Sequence, residues 1–416
     1  MTKFLISLTF LFSSCSLFVG NFEQDILERN NITPIEPTSK TYCKKPSSLN
    51  LVSESKSSQT SFKNFLDNSK QDLSFVETAV LWSLLQINLR PDLSSPTAKL
   101  QIMLFHKGKE FYFNTYAKED NYYPYFKALD SLLKKFRSQK SLLTLARYLD
   151  QEFHYPLLVS KEFELFLSSN RNFIAKHEQL KKAFIRGDET LQTGESLPRI
   201  NFQNLIRKYK KKRDSQKYLS SNFLFKKETL NQHKSACNFD LELYSESIFL
   251  INKDITKANT FGYKKGKSVF LATSSQKINF KSPKGLQFTM NGNSNTRAPA
   301  MCSFTKDKGR TWLVSSQSRD PGQHIYHILE YNLPKDNDLG ELDKLLKFSR
   351  HLFLKSPVRL VIESRRSSNQ QLTELLKLNI PIYNAKKLGK IWGYHSDPKS
   401  STFIVDNRRV GSLTCK

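Results

Sequence analysis

The residue types able to do covalent chemistry are scattered through this chain, and their spacings exclude most standard catalytic sites. No HExxH, GxSxG or dinucleotide-binding glycine pattern occurs, which removes the usual zinc peptidase, serine esterase and nicotinamide chemistries. The run Gly262-Tyr263-Lys264-Lys265-Gly266-Lys267-Ser268 has three residues between its glycines, where a phosphate-binding loop needs four, and its setting reads as a β-hairpin. Ser274 and Lys277 have Ser-x-x-Lys spacing, but in a polar turn between two strand-type runs. The cysteines show no CxxC and no metal-ligand rhythm, so no metal and no cofactor is expected.

The first fifteen residues carry a different kind of chemistry. Met1-Thr2-Lys3 gives one positive charge, Phe4 to Phe12 is mainly apolar, and Ser13-Ser14 precede Cys15. An apolar run of about ten residues is half of what a helix needs to cross a bilayer, so residues 1–14 read as an export signal that is removed. The surroundings of Cys15 resemble a bacterial lipobox, with Phe12 where that family prefers Leu. The resemblance implies that Cys15 is acylated and that membrane lipid is its partner. Ser16 stands where the inner-membrane retention signal has Asp, which implies a place in the bacterial cell envelope at the outer membrane ahead of the inner. Cys43, Cys237, Cys302 and Cys415 then remain, and in an oxidising compartment they give two disulfides in any of three pairings.

Composition points the same way. The chain has 416 residues with 38% hydrophobic content, enough for two or three real cores. Lys and Arg number 65 against 38 Asp and Glu, a formal +27. An exported protein this basic is drawn to polyanions, here phospholipid head groups or anionic envelope polymers ahead of nucleic acid.

The elements that must position any site divide the chain. Residues 15–61, rich in Ser, Thr, Asn, Pro and Lys, read as a flexible tether. Residues 62–222 read as a mainly helical domain: Phe75, Val76, Ala79, Val80, Leu84 and Ile87 recur at helical spacing and stop before Arg90-Pro91, where the residue preceding proline disfavours helix. Within it, Leu100 to Phe113 alternates around His106-Lys107-Gly108-Lys109, which predicts a hairpin. Arg207 to Arg213 has six cations in seven positions and reads as a solvated helix end, where cations suit the dipole. Residues 223–416 begin with short strand-type runs, then alternate strand and helix beyond Gln323. That order predicts a β-rich to α/β domain with a largely parallel last layer. The fold class expected is therefore α+β.

The last hundred residues resemble one half of the phospholipase D superfamily. Val358 to Glu363, Leu372 to Leu378, Ile380 to Tyr383, Phe403 to Asp406 and Gly411 to Thr414 follow that family's order. The resemblance implies a phosphodiesterase site at His395, Lys399, Asp406 and Ser412, with His233 to Asp240 as the second copy. Counting back from Asp406, however, Lys399 falls at the histidine position and Ser401 at the lysine position. A protonated lysine is a poor nucleophile on phosphorus. The sequence therefore predicts a lipid-anchored protein with a non-catalytic binding or scaffolding role, and a phospholipase D-like phosphodiesterase as the alternative.

Overall fold

The computed structural model describes residues 49–115, 123–213, 226–230, 233–237, 257–276, 298–306, 309–318, 320–330, 346, 349–355, 358–385, 387–397, 401–406, 408 and 411–414. The export signal, Cys15, Cys43, Cys415, Lys277 and Lys399 lie outside them. In chain order the first elements are β1 (Leu49–Ser53), α1 (Lys56–Asp67), α2 (Phe75–Leu89), β2 (Lys99–His106) and β3 (Lys109–Asn114). A run of helices follows: α3 (Pro124–Lys135), α4 (Leu142–Glu152), α5 (Lys161–Ser169), α6 (Arg171–Ala175) and α7 (Glu178–Phe184). The small ribbon of β4 (Ile185–Arg186) and β5 (Glu189–Thr190) leads to α8 (Phe202–Arg213). Next come β6 (Lys226–Leu230), β7 (His233–Cys237), β8 (Asn259–Lys265), β9 (Ser268–Ser275), β10 (Ala300–Lys306) and β11 (Gly309–Ser316). The chain closes with α9 (Pro321–Glu330), β12 (His351–Lys355), β13 (Val358–Ile362), α10 (Asn369–Leu376), β14 (Ile382–Asn384), β15 (Lys390–Ser396), β16 (Ser401–Val405) and β17 (Ser412–Thr414).

Local signals explain many of these boundaries. In α2 the Ser74 hydroxyl accepts from the Glu77 amide while the Glu77 carboxylate accepts from the Ser74 amide, a reciprocal cap, and the helix ends before Pro91 as expected. All fifteen of its residues are buried, so it is the central helix. The β2–β3 turn has Lys107 and Gly108 at φ 51° and 74°, the left-handed pair that suits a two-residue hairpin. Gly266, at φ +58°, supplies the left-handed first position of the two-residue β8–β9 turn.

Two antiparallel six-stranded sheets dominate. The first runs β17-β1-β8-β9-β2-β3 and the second β16-β15-β11-β10-β7-β6. One core packs the helices α1 to α8 on the outer face of the first sheet, through Trp82, Phe126, Phe163, Phe261 and Phe270 among others. A second core lies between the sheets, where Val52, Met103, Leu271, Trp312, Trp392 and Phe403 meet. A third seats Ile325, Ile328 and Leu329 of α9 on the outer face of the second sheet. The layers are helix, sheet, sheet, helix. The sheets approach so closely at Gly262 that a Cβ there would stand 2.8 Å from Val52 Cγ1 and 2.9 Å from Phe403 Cε1.

Mixed α and β structure is as the sequence predicts, but three expectations need correction. The tether does not extend to residue 61: Leu49 to Ser53 pairs with β8 and β17, and α1 buries Phe62 and Phe65. Leu51 and Val52, facing the helix-side and inter-sheet cores, seat the strand, and the Ser55 cap starts the helix. Nor is the last layer a largely parallel sheet: among the described residues only β13 and β14 pair in parallel, while β15 and β16 join the antiparallel second sheet. The first sheet also draws strands from both sides of residue 222. Strand alternation reports an element's type but not its partner, which is why these pairings escape sequence pattern.

Candidate active site

Side-chain alternation decides what lines the space between the sheets. On β8, Phe261 and Tyr263 belong to the helix-side core, so Thr260, Gly262 and Lys264 face the second sheet. On β9, Phe270 and Ala272 face the helices and Leu271 the inter-sheet core, which puts Thr273 inward. On β2 the same logic turns Gln101 inward beside Met103. Thr260 pairs with Thr273 and Thr273 lies opposite Gln101, so the three form one row across three strands.

Within that row the Thr260 hydroxyl donates to Thr273 Oγ1 at 3.2 Å. Thr260 is 1% exposed and Thr273 fully buried. Gln101 is also buried, and neither its amide nitrogen nor its oxygen has a hydrogen-bond partner among the described residues. The Ser316 hydroxyl at the end of β11 is likewise buried and unpartnered. An unsatisfied buried amide costs about 1–3 kcal/mol, so the Gln101 amide gives this row hydrogen-bonding capacity that a polar group could match.

Charged groups close this end of the sheets. The register Val52 to Gly262 brings Glu54 to the level of Thr260. Glu54 pairs with Arg90 at the end of α2 and with Lys390 Nζ of the second sheet at 3.1 Å. Arg90 also grips Asp92 through two bonds of 2.8 and 2.7 Å. Burial opposes the Arg90 charge, yet Asp92 raises its pKa above the ordinary guanidinium value. Lys390 lies 4.6 Å above the Trp392 ring. Burial lowers the pKa of Lys264, on the same strand face as Thr260.

The residue before Thr260 is held the other way. Asn259 Nδ2 donates to Gln86 Oε1 at 3.1 Å and to Ser94 Oγ at 3.0 Å, and Ser94 meets Ser274 at 2.7 Å. Asn259 is thus pinned to the helix layer while Thr260 points between the sheets. A cavity of about 10 Å³ bordered by Glu54, Gln86, Arg90 and Asn259 has room for one water. A larger cavity of about 400 Å³ lies in the helical layer between the end of α4 and the start of α8. There Asp150 accepts from the Phe202 and Gln203 amides and Asn88 from the Ile200 amide.

The residues expected from the phospholipase D resemblance do not converge. His395 is buried, with Nδ1 2.9 Å from Thr311 Oγ1, and burial lowers its pKa. Asp406 accepts from the Ile391 amide, four residues along β15 from His395, or about 13 Å at the rise of an extended strand. Its carboxylate belongs instead to Arg350, at 2.6 Å, and Arg408, at 3.3 Å. Burial alone would raise the Asp406 pKa, but those two guanidinium groups hold it well below the usual carboxylate range. Ser412 sits in β17 opposite Ser53, its carbonyl accepting from Gln59 Nε2 at 2.8 Å. His233 lies in β7 and Asp240 outside the described residues. Of the three disulfide pairings, the structure contains Cys237–Cys302, directly across β7 and β10.

The Thr260, Thr273 and Gln101 row was not singled out by sequence. One signal was present: a two-residue turn at Gly266-Lys267 sets the pairing of every residue along that hairpin, and Thr260 falls opposite Thr273.

Comparison with solved structures gives the fold its context. The chain superposes on a cephalosporin acylase from Bacillus halodurans with a TM-score of 0.60 and 10% identity, over 92% of this chain and 98% of that one. The match to a structure of LmbA2991 has a TM-score of 0.61 and 9% identity, over 92% and 100%. The chain shares the fold of these two structures. No protein-family model matches it, and no curated protein matches by sequence. The full-length likeness overturns the expected non-catalytic binding or scaffolding role, and with it the expectation that the chain is not an enzyme. It also overturns the phospholipase D-like alternative, since the C-terminal strands β15, β16 and β17 complete the two antiparallel sheets of this shared fold rather than a separate half-domain.

Proposed function

We propose that this protein is a hydrolase or acyltransferase of the acylase type, acting on an amide bond through the hydroxyl of Thr260. The observation that carries the reading is the Thr260–Thr273 hydroxyl pair set between the two sheets of an acylase fold, beside an unpartnered buried amide. A threonine hydroxyl is a weak nucleophile and needs a base. An amide nitrogen cannot serve, but the free α-amine of Thr260 can, with an ordinary pKa of about 8. The reading therefore includes hydrolysis of the Asn259–Thr260 peptide bond by water, which leaves a carboxylate on Asn259 and the free α-amine on Thr260, a residue 1% exposed in the intact chain.

The chemistry then balances. Thr260 Oγ1 attacks the substrate carbonyl carbon, and its proton passes to the α-amine. The tetrahedral oxyanion collapses as the carbon–nitrogen bond breaks, and the leaving amine takes the proton from the α-ammonium. Water, or an acceptor amine, attacks the resulting Thr260 ester and gives its proton to the same α-amine, which returns it to Thr260 Oγ1 as the ester carbon–oxygen bond breaks and the product leaves. Thr273 orients the hydroxyl, and Gln101 Nε2 supplies a donor for the oxyanion.

Export and acylation at Cys15 remain part of the reading, supported by the leader and by a disulfide in the folded body, which suits an oxidising compartment. The excess of positive charge favours anionic envelope polymers or lipid head groups nearby. The decisive experiment is N-terminal sequencing and intact mass of the purified full chain, with hydrolysis of a panel of N-acyl p-nitroanilides. Expected are a new terminus at Thr260, release of p-nitroaniline, and loss of both in Thr260→Ala. An intact chain that still hydrolyses these amides when Thr260 is alanine would overturn the assignment.

A further inference from the structure

We infer that the Cys237–Cys302 disulfide is the covalent link between the two polypeptides of the processed protein. The inference rests on the chain opening proposed above. Cys237 lies before the bond to be opened and Cys302 after it, and the two half-cystines face each other across neighbouring strands, β7 and β10. The logic is indifferent to the position of the cut: opening anywhere between the two cysteines leaves one on each product.

Topology shows why such a link has a use. After opening, among the described residues the C-terminal polypeptide supplies β10, β11, β15 and β16 of the second sheet, and the N-terminal one adds only the edge hairpin β6–β7. An edge hairpin with one neighbour is the part of a sheet that frays first. In the first sheet the exchange is deeper. There β1 from the N-terminal polypeptide is paired on both sides, with β8 and β17 of the other, and β9 pairs β2. The disulfide pins the second sheet, where among the described residues a single strand pairing, β7 with β10, crosses between the two polypeptides.

The test uses the full chain with Cys15, Cys43 and Cys415 changed to Ser, so that Cys237 and Cys302 are the only thiols. Electrophoresis without reductant should show one species, and with reductant two, ending at Asn259 and starting at Thr260. Non-reduced peptide mapping should recover a Cys237–Cys302 cystine spanning the two. Adding Cys302→Ser should give two species without reductant. If that variant does not fold, titrating the parent with dithiothreitol and counting alkylated thiols provides the same comparison. Two separate polypeptides in the unreduced parent, or two alkylatable thiols before reduction, would overturn the tether and leave the opening intact. One polypeptide under both conditions, with the cystine present, would overturn the opening and the tether with it.

Discussion

At the scale of single residues, the reading turns on two hydroxyls and one amide. Removing the Thr273 hydroxyl leaves the nucleophile but not its 3.2 Å partner. Thr273→Ala should therefore slow turnover about tenfold, the worth of one orienting hydrogen bond, while Thr273→Ser recovers most of it in a kcat measurement. Gln101→Ala removes an oxyanion donor, a loss of about a hundredfold in kcat with KM little changed. Equal losses in kcat and in substrate binding would instead mark Gln101 as a packing residue. The base gives the pH profile its sign: the α-amine must be neutral to accept a proton, so activity should rise with pH and level off above about 8.

At the scale of elements, a buried polar network holds the last third of the chain. Glu363 at the end of β13 accepts from Arg408 Nη2 at 2.6 Å, and Asp406 beyond β16 joins Arg350 and Arg408. All four side chains are fully buried or nearly so. Asp406→Asn leaves the buried Arg350 guanidinium without its ion-pair partner, while Arg408 keeps Glu363, and an uncompensated buried charge costs about 3–5 kcal/mol, readable as a fall in unfolding free energy in urea.

Beside this network, His327 of α9 stacks on His351 of β12 with ring centroids 3.8 Å apart. Burial pushes His327 down to about 3, with the charge of His351 adding to the effect, and burial pushes His351 down to about 4. In the unfolded chain both take up protons below about 6.5. The unfolded state therefore binds more protons between about pH 6.5 and 4, and stability falls as pH drops through that window. Asp406, held low, contributes stability that is complete above about pH 4 and is lost only below it. The fall in Tm from pH 7 to 4.5 should be smaller in His351→Gln than in the parent, and an unchanged fall would clear the pair of this role.

Elements were also where the sequence was most legible. The stop at Arg90-Pro91, the hairpin at Lys107-Gly108 and the turn at Gly266 are local events written in a few neighbouring residues. The pairing of Leu51 with Thr414 is not, because no residue near either strand carries information about the other. The site shares that fate in part. Thr260 and Thr273 meet through a local turn, but Gln101 reaches them only because β9 happens to lie beside β2. His395 and Asp406, close in sequence, were separated by the simple fact that an extended strand covers about 3.3 Å per residue.

The whole molecule sets the condition under which opening the chain can leave a working protein. Neither product keeps a complete sheet: residues 260–416 retain β8, β9 and β17 of the first, but lose β1 between β17 and β8 and β2 beyond β9. The inter-sheet core then lacks Val52 and Met103, and the face of β8 and β9 that packs on α2 is bared. A hairpin edge with unpaired amides and exposed Phe261 and Phe270 is a template for aggregation. Residues 260–416 made alone should therefore be insoluble, whereas expression together with residues 1–259 should give a soluble pair whose far-ultraviolet circular dichroism matches the opened parent. Soluble, cooperatively unfolding material from residues 260–416 alone would mean that the strands of this half find partners without β1 and β2, and that the interleaving of the two halves is not what holds Thr260 in place.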